Sequence, residues 1–183
     1  LMKSKINTFI ISIVIISCTF LLNDLKGKEV QPVTNFDIER YTGKWYEIAR
    51  LDHFFERGLS NVIAEYQLQE EGKLSLINRG YSIKKNKIKE TDGKAYLAKS
   101  ENIGHLKVSF FGPFYSHYII FELDDNYQYA FVADKKAKYL WLLSRTPQVS
   151  EKVKELFITQ IQTFGIDSSL LIWVDQTDNI LEI

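Results

Sequence analysis

Few side chains in this 183-residue sequence could do chemistry: three histidines, one cysteine, and one carboxylate set among apolar neighbours. His53, His105 and His117 show no H-x-x-H or equivalent spacing, so the sequence offers no pair held on one helix face as metal ligands would be. Cys18 is the sole thiol, which excludes a disulfide within the chain and any Cys-x-x-Cys redox or zinc site. No nucleophile is accompanied by a recognisable base and orienting acid. The expectation is therefore no catalytic residue, no metal ligand and no cofactor. Glu47 is different: a carboxylate on an otherwise apolar run must find a donor or take up a proton.

Cys18 has a second possible use. Lys3 and Lys5 precede a mostly apolar stretch from Ile6 to Ser17, the order of a secretory signal. Ile15-Ile16-Ser17-Cys18 resembles a bacterial lipobox, in which the thiol accepts diacylglycerol and becomes the first mature residue. The alternative is that Ile6 to Leu22 stays as an uncleaved anchor of about minimal spanning length. Thr19, rather than Asp, after the cysteine implies by the same resemblance an outer-membrane destination, lipid-anchored on the periplasmic side. The expected organisation is a signal segment over 1–17, a lipidated terminus and polar tether over 18–34, and one domain over 35–178.

The elements that position the remaining residues have period two. Short β-branched and aromatic runs recur over Trp45 to Asp52, Val62 to Gln69, Leu74 to Ser82, Lys89 to Leu97, Leu106 to Phe110, Tyr115 to Leu123, Tyr129 to Ala133 and Tyr139 to Ser144. Turn residues such as Glu70-Glu71-Gly72 and Asp124-Asp125-Asn126 separate them, as hairpins require. Val149, Val153, Leu156, Phe157, Ile161 and Phe164 instead follow helical spacing, with Ser150 or Thr146 to cap the start and Gly165 to stop the helix. Ser169 to Val174 reads as a short ninth strand. The predicted fold is all-β: an eight-stranded antiparallel up-and-down barrel, a C-terminal α-helix and a ninth strand. With 23 basic and 23 acidic residues the chain lacks the cationic excess of a nucleic-acid binder, and no nucleic-acid partner is expected.

Two signatures give this pattern a family resemblance. Gly43-Lys44-Trp45-Tyr46 matches the G-x-W that opens the first strand of lipocalins, and Ser144-Arg145-Thr146-Pro147 stands where that family places an arginine over the tryptophan. Trp45 to Arg50, Phe55-Glu56-Arg57-Gly58 and Lys107 to Tyr115 are similar to the bacterial outer-membrane lipoprotein and apolipoprotein D branch. The middle Thr-Asp-Tyr motif is only partly present, as Leu123-Asp124-Asp125. The resemblance implies a floor built from Gly43, Trp45 and Arg145, a loop from Asp52 to Asn61 over the open end, and no enzymatic activity.

Alternation then assigns the inner wall. If Trp45 faces inward, so do Glu47, Ala49 and Leu51; if Arg145 does, so do Leu143, Trp141 and Tyr139. Small Ala64, Gly80, Gly93 and Ala95 beside Tyr66, Phe110, Tyr118 and Trp141 would leave room for a ligand. The expected ligand contacts are Ala49, Leu51, Ala64, Tyr66, Leu76 and Asn78 on the first three strands. Val108, Phe110, Tyr118, Ile120, Tyr139 and Trp141 complete the set, with Tyr66, Asn78, Tyr139 and Trp141 as polar groups at the mouth.

The function implied is binding, with storage or transport, of a fatty acid, lysophospholipid or similar apolar ligand by a monomer or homodimer. Two alternatives stand beside it. One is a structural or interaction lipoprotein with a barrel filled by its own side chains. The other is a haem-binding barrel, which needs an inward axial histidine, for which His117 is best placed.

Overall fold

The computed structural model describes residues 29–98 and 100–177. The signal segment, Cys18 and most of the tether fall outside the described residues.

Nine strands form one sheet: β1 (Gly43–Arg50), β2 (Leu59–Leu68), β3 (Lys73–Ser82), β4 (Lys87–Leu97), β5 (His105–Ser109), β6 (Ser116–Leu123), β7 (Tyr129–Ala133), β8 (Leu140–Ser144) and β9 (Ile172–Trp173). Consecutive strands β2 to β8 pair antiparallel, and β1 closes the circuit by pairing with both β8 and β2. The result is an eight-stranded up-and-down barrel, with β9 added outside β1 through Ala49↔Trp173 and Arg50↔Ile172. Closure leaves no long unpaired edge, which a sequence this rich in β-formers needs.

Two helices flank the barrel. The short helix α1 (Ile38–Tyr41) follows Asp37, whose carboxylate accepts the Glu39 and Arg40 backbone N–H groups. The longer α2 (Glu151–Gln162) begins where Ser150 accepts the Val153 N–H, and the chain leaves it through Gly165 at φ 76°. Sequence periodicity locates α2 because three turns of apolar spacing are visible; one turn at α1 carries no period.

Two apolar clusters divide the interior work. Inside the barrel lie Trp45, Tyr66, Leu74, Leu76, Ala95, Leu106, Val108, Ile120 and Leu143, joined from below by Phe36 and Tyr41. Outside the wall, under α2, lie Ile48, Ala49, Ile119, Phe131, Leu140 and Leu142 against Phe157 and Ile161. The strands running beneath the helix are thus buried on both faces, which is why β7 and β8 read as continuous apolar runs rather than clean alternation.

The wall is not perfectly regular. Pairing of β1 with β8 slips between Glu47 and Ala49, so Ile48 is a bulge residue. Trp45, Glu47 and Arg50 therefore share the inner side, while Ile48 and Ala49 both pack under α2. Ala49 and Leu51 were expected on the inner wall; both lie in the outer cluster instead, because one extra residue reverses the alternation after it.

Candidate ligand-binding site

The floor is assembled first. Trp45 is fully buried, and its indole N–H donates 2.8 Å to the Tyr41 carbonyl, the last residue of α1. The Arg145 guanidinium carbon lies 3.8 Å from the Trp45 ring centroid. The same guanidinium donates to the Lys44 and Arg40 carbonyls, each at 2.8 Å. Gly43 takes φ 89°, and a Cβ there would stand 3.4 Å from Arg145 Nη1, so this glycine answers both to backbone conformation and to the arginine above it.

Above the floor, three tyrosine hydroxyls meet: Tyr66 donates 2.9 Å to Tyr118, which is also bonded to Tyr41 at 2.8 Å. Burial holds all three phenols protonated well past their ordinary range. Tyr66 was expected at the mouth; its contacts place it low in the barrel, in edge contact with Tyr41.

From there the wall opens. Strands β1, β3, β5 and β7 run from the floor toward the end that carries the β1–β2, β3–β4, β5–β6 and β7–β8 connections. On β4, β5, β6 and β8, and on β3 as far as Asn78, the inward residues near the floor are buried and those nearer the other end keep solvent contact, whereas at Gly80 and along β1 and β7 the inward residues are buried toward that end as well. Leu74 and Leu76 are buried while Asn78 is not; Leu106 and Val108 are buried while Phe110 is not. Ile120 is buried and Tyr118 is half-buried; Leu143 is buried, Trp141 half-buried and Tyr139 exposed. On β4 the order is Ala95 buried, Gly93 half-buried and Thr91 exposed. The upper inner face is thus accessible along β3 to β6 and β8, and the space these residues border is the lumen. Ala64, beside Trp45 and Asn78 in register, retains the same partial accessibility.

Gly93 sets the width of this lumen. A Cβ there would come within 2.8 Å of the Phe110 ring and 3.0 Å of Leu76 Cγ, so the missing side chain is what lets Phe110 lie across the wall.

One polar cluster sits on the lumen side of β1. Arg50 Nη1 donates 2.6 Å to Glu47 Oε1, with both side chains at or below 5 % exposure. Arg50 Nη2 donates 2.9 Å to the Glu56 carbonyl, fastening the β1–β2 connection to the barrel. The Glu56 carboxylate accepts the Trp141 indole N–H at 3.2 Å. Burial pushes both carboxyls above the ordinary carboxylate range; Glu56 adds to the rise at Glu47, and Arg50 opposes it at both. His53, 1 % exposed, is ringed by Phe55, Tyr139 and Trp141 at centroid distances of 5.4, 5.1 and 4.7 Å. Its burial brings the imidazole pKa down to about 4, so the ring is neutral near pH 7.

Arg50, Glu56 and His53 are absent from the residues expected at the site. Arg50 was hidden by the bulge, and Glu56 and His53 lie in a connection that sequence pattern treats as a loop. Their signal was the i, i+3 spacing of Glu47 and Arg50 within an apolar run.

His117 does not enter the lumen. Its Nδ1 is 2.7 Å from His105 Nε2 and its Nε2 is 3.0 Å from Lys107 Nζ, on the outer side of strands whose alternate residues Leu106, Val108 and Tyr118 face in. This placement corrects His117 as the axial-ligand candidate, because an axial ligand must face the cavity. Among the described residues no three His, Cys, Asp or Glu side chains are grouped to hold a metal ion.

A closed eight-stranded meander with an aromatic floor latched by arginine, a lumen open at one end and a helix on its flank defines a ligand-carrier barrel. The sequence matches the lipocalin-like domain over residues 36–176, and the chain belongs to the lipocalin family, a family of binding proteins rather than enzymes. It is 51% identical over 168 residues to an outer membrane lipoprotein, Blc, of Vibrio cholerae, covering 90% of this chain and 98% of that one. To Blc of Escherichia coli K12 it is 47% identical over 147 residues, covering 80% and 83%. Among solved structures, insecticyanin from the tobacco hornworm superposes with a TM-score of 0.66 at 25% identity over 82% of this chain and 86% of that one.

Proposed function

We propose that this chain is a lipid-anchored lipocalin of the outer membrane that holds the tail of a fatty acid, lysophospholipid or similar single-chain amphiphile in its barrel, for storage or transport. The anchor is Cys18, as the lipobox resemblance implies and as the outer-membrane relatives support. The observation that carries the reading is the accessibility gradient on the inner wall, buried at Leu76, Val108 and Ile120 and open at Asn78, Phe110 and Trp141. A barrel filled by its own side chains would bury the upper residues of β3 to β6 and β8 as it buries those of β1 and β7. The apolar lower walls suit methylenes, each contributing about 0.8 kcal/mol on burial. Ala64, Phe110, Tyr118, Tyr139 and Trp141 are the contacts this reading keeps; Tyr66, Leu76, Val108 and Ile120 form the base on which a chain end rests.

Fluorescence titration tests the reading. A fatty acid or neutral monoacylglycerol entering the lumen shifts Trp141 emission saturably, and lipid extracted from natively purified protein identifies the ligand by mass. No shift with any single-chain lipid means that the lumen is not a lipid site. Whether one barrel or two take part is read by light scattering in the same preparation.

A further inference from the structure

The two ends of the barrel differ in charge and in apolar exposure. The four most exposed large apolar side chains among the described residues are Phe114, Phe111, Phe54 and Ile83, at 67 to 80 %. All four stand in connections at the open end, in β1–β2, β3–β4 and β5–β6. The remaining connection there, β7–β8, carries exposed Lys135, Lys136 and Lys138, and exposed Lys84, Lys85 and Lys87 follow Ile83. A Cβ at Gly112 would stand 3.9 Å from Lys94 Nζ, so a cation also lies beside the loop that holds Phe111 and Phe114. The acids of this rim are Asp52, paired with Arg57; Asp134, which accepts the Lys138 and Tyr139 backbone N–H groups; and buried Glu56. At the closed end, residues 69–72 and 124–128 carry Glu70, Glu71, Asp124 and Asp125 and no lysine or arginine.

The N-terminal side of the chain meets the barrel at the cationic end. The Val30 N–H donates 3.1 Å to the Lys135 carbonyl in the β7–β8 connection. From there the segment runs toward the floor: Val33 N–H donates 2.9 Å to Ile120, Gly104 N–H donates 3.0 Å to Val33, and Phe36 N–H donates 3.0 Å to Asn102 in the β4–β5 connection. Ten residues, 19–28, separate Cys18 from Glu29, a reach of at most about 40 Å. An anchor at Cys18 is therefore rooted at the rim and not at the acidic floor.

We infer that the open rim is a bilayer-docking surface: Phe54, Ile83, Phe111 and Phe114 enter the headgroup boundary of a membrane containing anionic phospholipid, and the lysines around them hold the barrel mouth-down. The inference rests on the proposed Cys18 anchor and adds which end of the barrel meets the membrane. Apolar side chains left in water at a protein surface gain by entering the acyl boundary, and each lysine near an anionic surface adds attraction. A tether rooted at the rim keeps this end at high effective concentration beside the bilayer, so a few such contacts suffice. A single-chain amphiphile then passes between bilayer and lumen with its tail kept out of water.

The test puts one environment-sensitive fluorophore on the processed, lipidated protein, whose sole native thiol is taken up by the anchor. Phe111→Cys and Ile83→Cys carry it at the rim and Leu68→Cys at the closed end, all three at exposed positions that leave the packing intact. Each is reconstituted in phosphatidylcholine vesicles with or without phosphatidylglycerol, together with a lipid-borne quencher. The rim labels are expected to shift to the blue and be quenched in the anionic vesicles while the Leu68 label stays in water. Lys135→Gln, Lys136→Gln and Lys138→Gln together should lower the docked-to-free ratio about a hundredfold. Rim labels that stay in water while the protein floats with the vesicles, or a Leu68 label quenched as strongly, overturn the docking. Equal quenching in neutral vesicles, or quenching that survives the lysine substitutions, overturns the anionic partner; a rim shift that needs no vesicle and grows with protein concentration assigns the patch to a second copy instead. Protein that does not float at all overturns the anchor and the docking together. Trp141 titration of the same variants before labelling reads the lumen separately, so docking without lipid binding strikes the lumen reading, and lipid binding without docking strikes only the rim.

Discussion

The Arg145 guanidinium carbon sits over the Trp45 ring at 3.8 Å from its centroid, and its N–H groups reach the carbonyls of Lys44 and Arg40, so one side chain joins the end of β8 to the start of β1 and to α1. The cation–π contact places the charge against a fully buried ring, and the hydrogen bonds fix where it sits. The floor is therefore a latch as well as a plug.

Removing either half has a different cost. Trp45→Ala leaves a void under the lumen and is expected to lose about 3 to 5 kcal/mol. Arg145→Leu keeps an apolar contact but strands the carbonyls of Lys44, Arg40 and Tyr127, and the expected loss is about 1 to 3 kcal/mol. Equilibrium unfolding in urea measures both. A Trp45→Ala variant as stable as the parent would show that the ring carries no packing load.

The buried Glu47 and Arg50 pair responds in a way that distinguishes it from a surface bridge. Arg50→Met leaves Glu47 in a low-dielectric site without its partner, and a loss of about 3 to 5 kcal/mol is expected. Glu47→Gln in the same chain should return much of it, because the stranded charge is gone. Double-mutant unfolding data reveal the coupling; independent, additive losses would mean that the 2.6 Å contact is not the interaction holding β1 to the lumen cluster.

His53 makes stability depend on acid. Its folded pKa of about 4 lies below the ordinary 6.5, so between those values the unfolded chain binds a proton that the folded chain does not. Stability from this group is complete above pH 6.5 and is lost as pH falls toward 4. The carboxyls of Glu47 and Glu56 act the opposite way: raised above 4.5, they favour the folded state while protonated and withdraw that support as pH rises through their folded values. Thermal melts across this range should show His53→Leu flattening the acid slope. An unchanged slope would assign it to other groups.

Much of the barrel was legible because its signals are local. Period-two runs, acidic and glycine turns, and one amphipathic helix ending at Gly165 each declare themselves within a dozen residues, and the boundaries of β3, β7 and α2 follow closely. The inner wall was less legible. Alternation carries an assignment along a strand only until a bulge, and the extra residue at Ile48 moved Ala49 and Leu51 to the outside while turning Arg50 inward. The mouth was least legible, because Glu56 and His53 come from a connection whose path is set by the Arg50 contact to its backbone, and no period in the sequence encodes that.

Ala64 offers the sharpest separation of a hollow barrel from a filled one. It faces inward beside Trp45 and Asn78 and keeps partial accessibility, so a larger side chain there projects into the lumen just above the floor. In a hollow barrel Ala64→Trp occupies the space of two or three methylenes, and at about 0.8 kcal/mol each a bound chain loses affinity by roughly tenfold to a hundredfold while the fold stays intact. In a filled barrel the same substitution overpacks the core and costs about 1 to 3 kcal/mol of stability. Paired measurements of the melting temperature and of lipid affinity separate the two outcomes. A variant that melts normally and binds lipid as the parent does would mean that the chain does not descend past Asn78 to the floor.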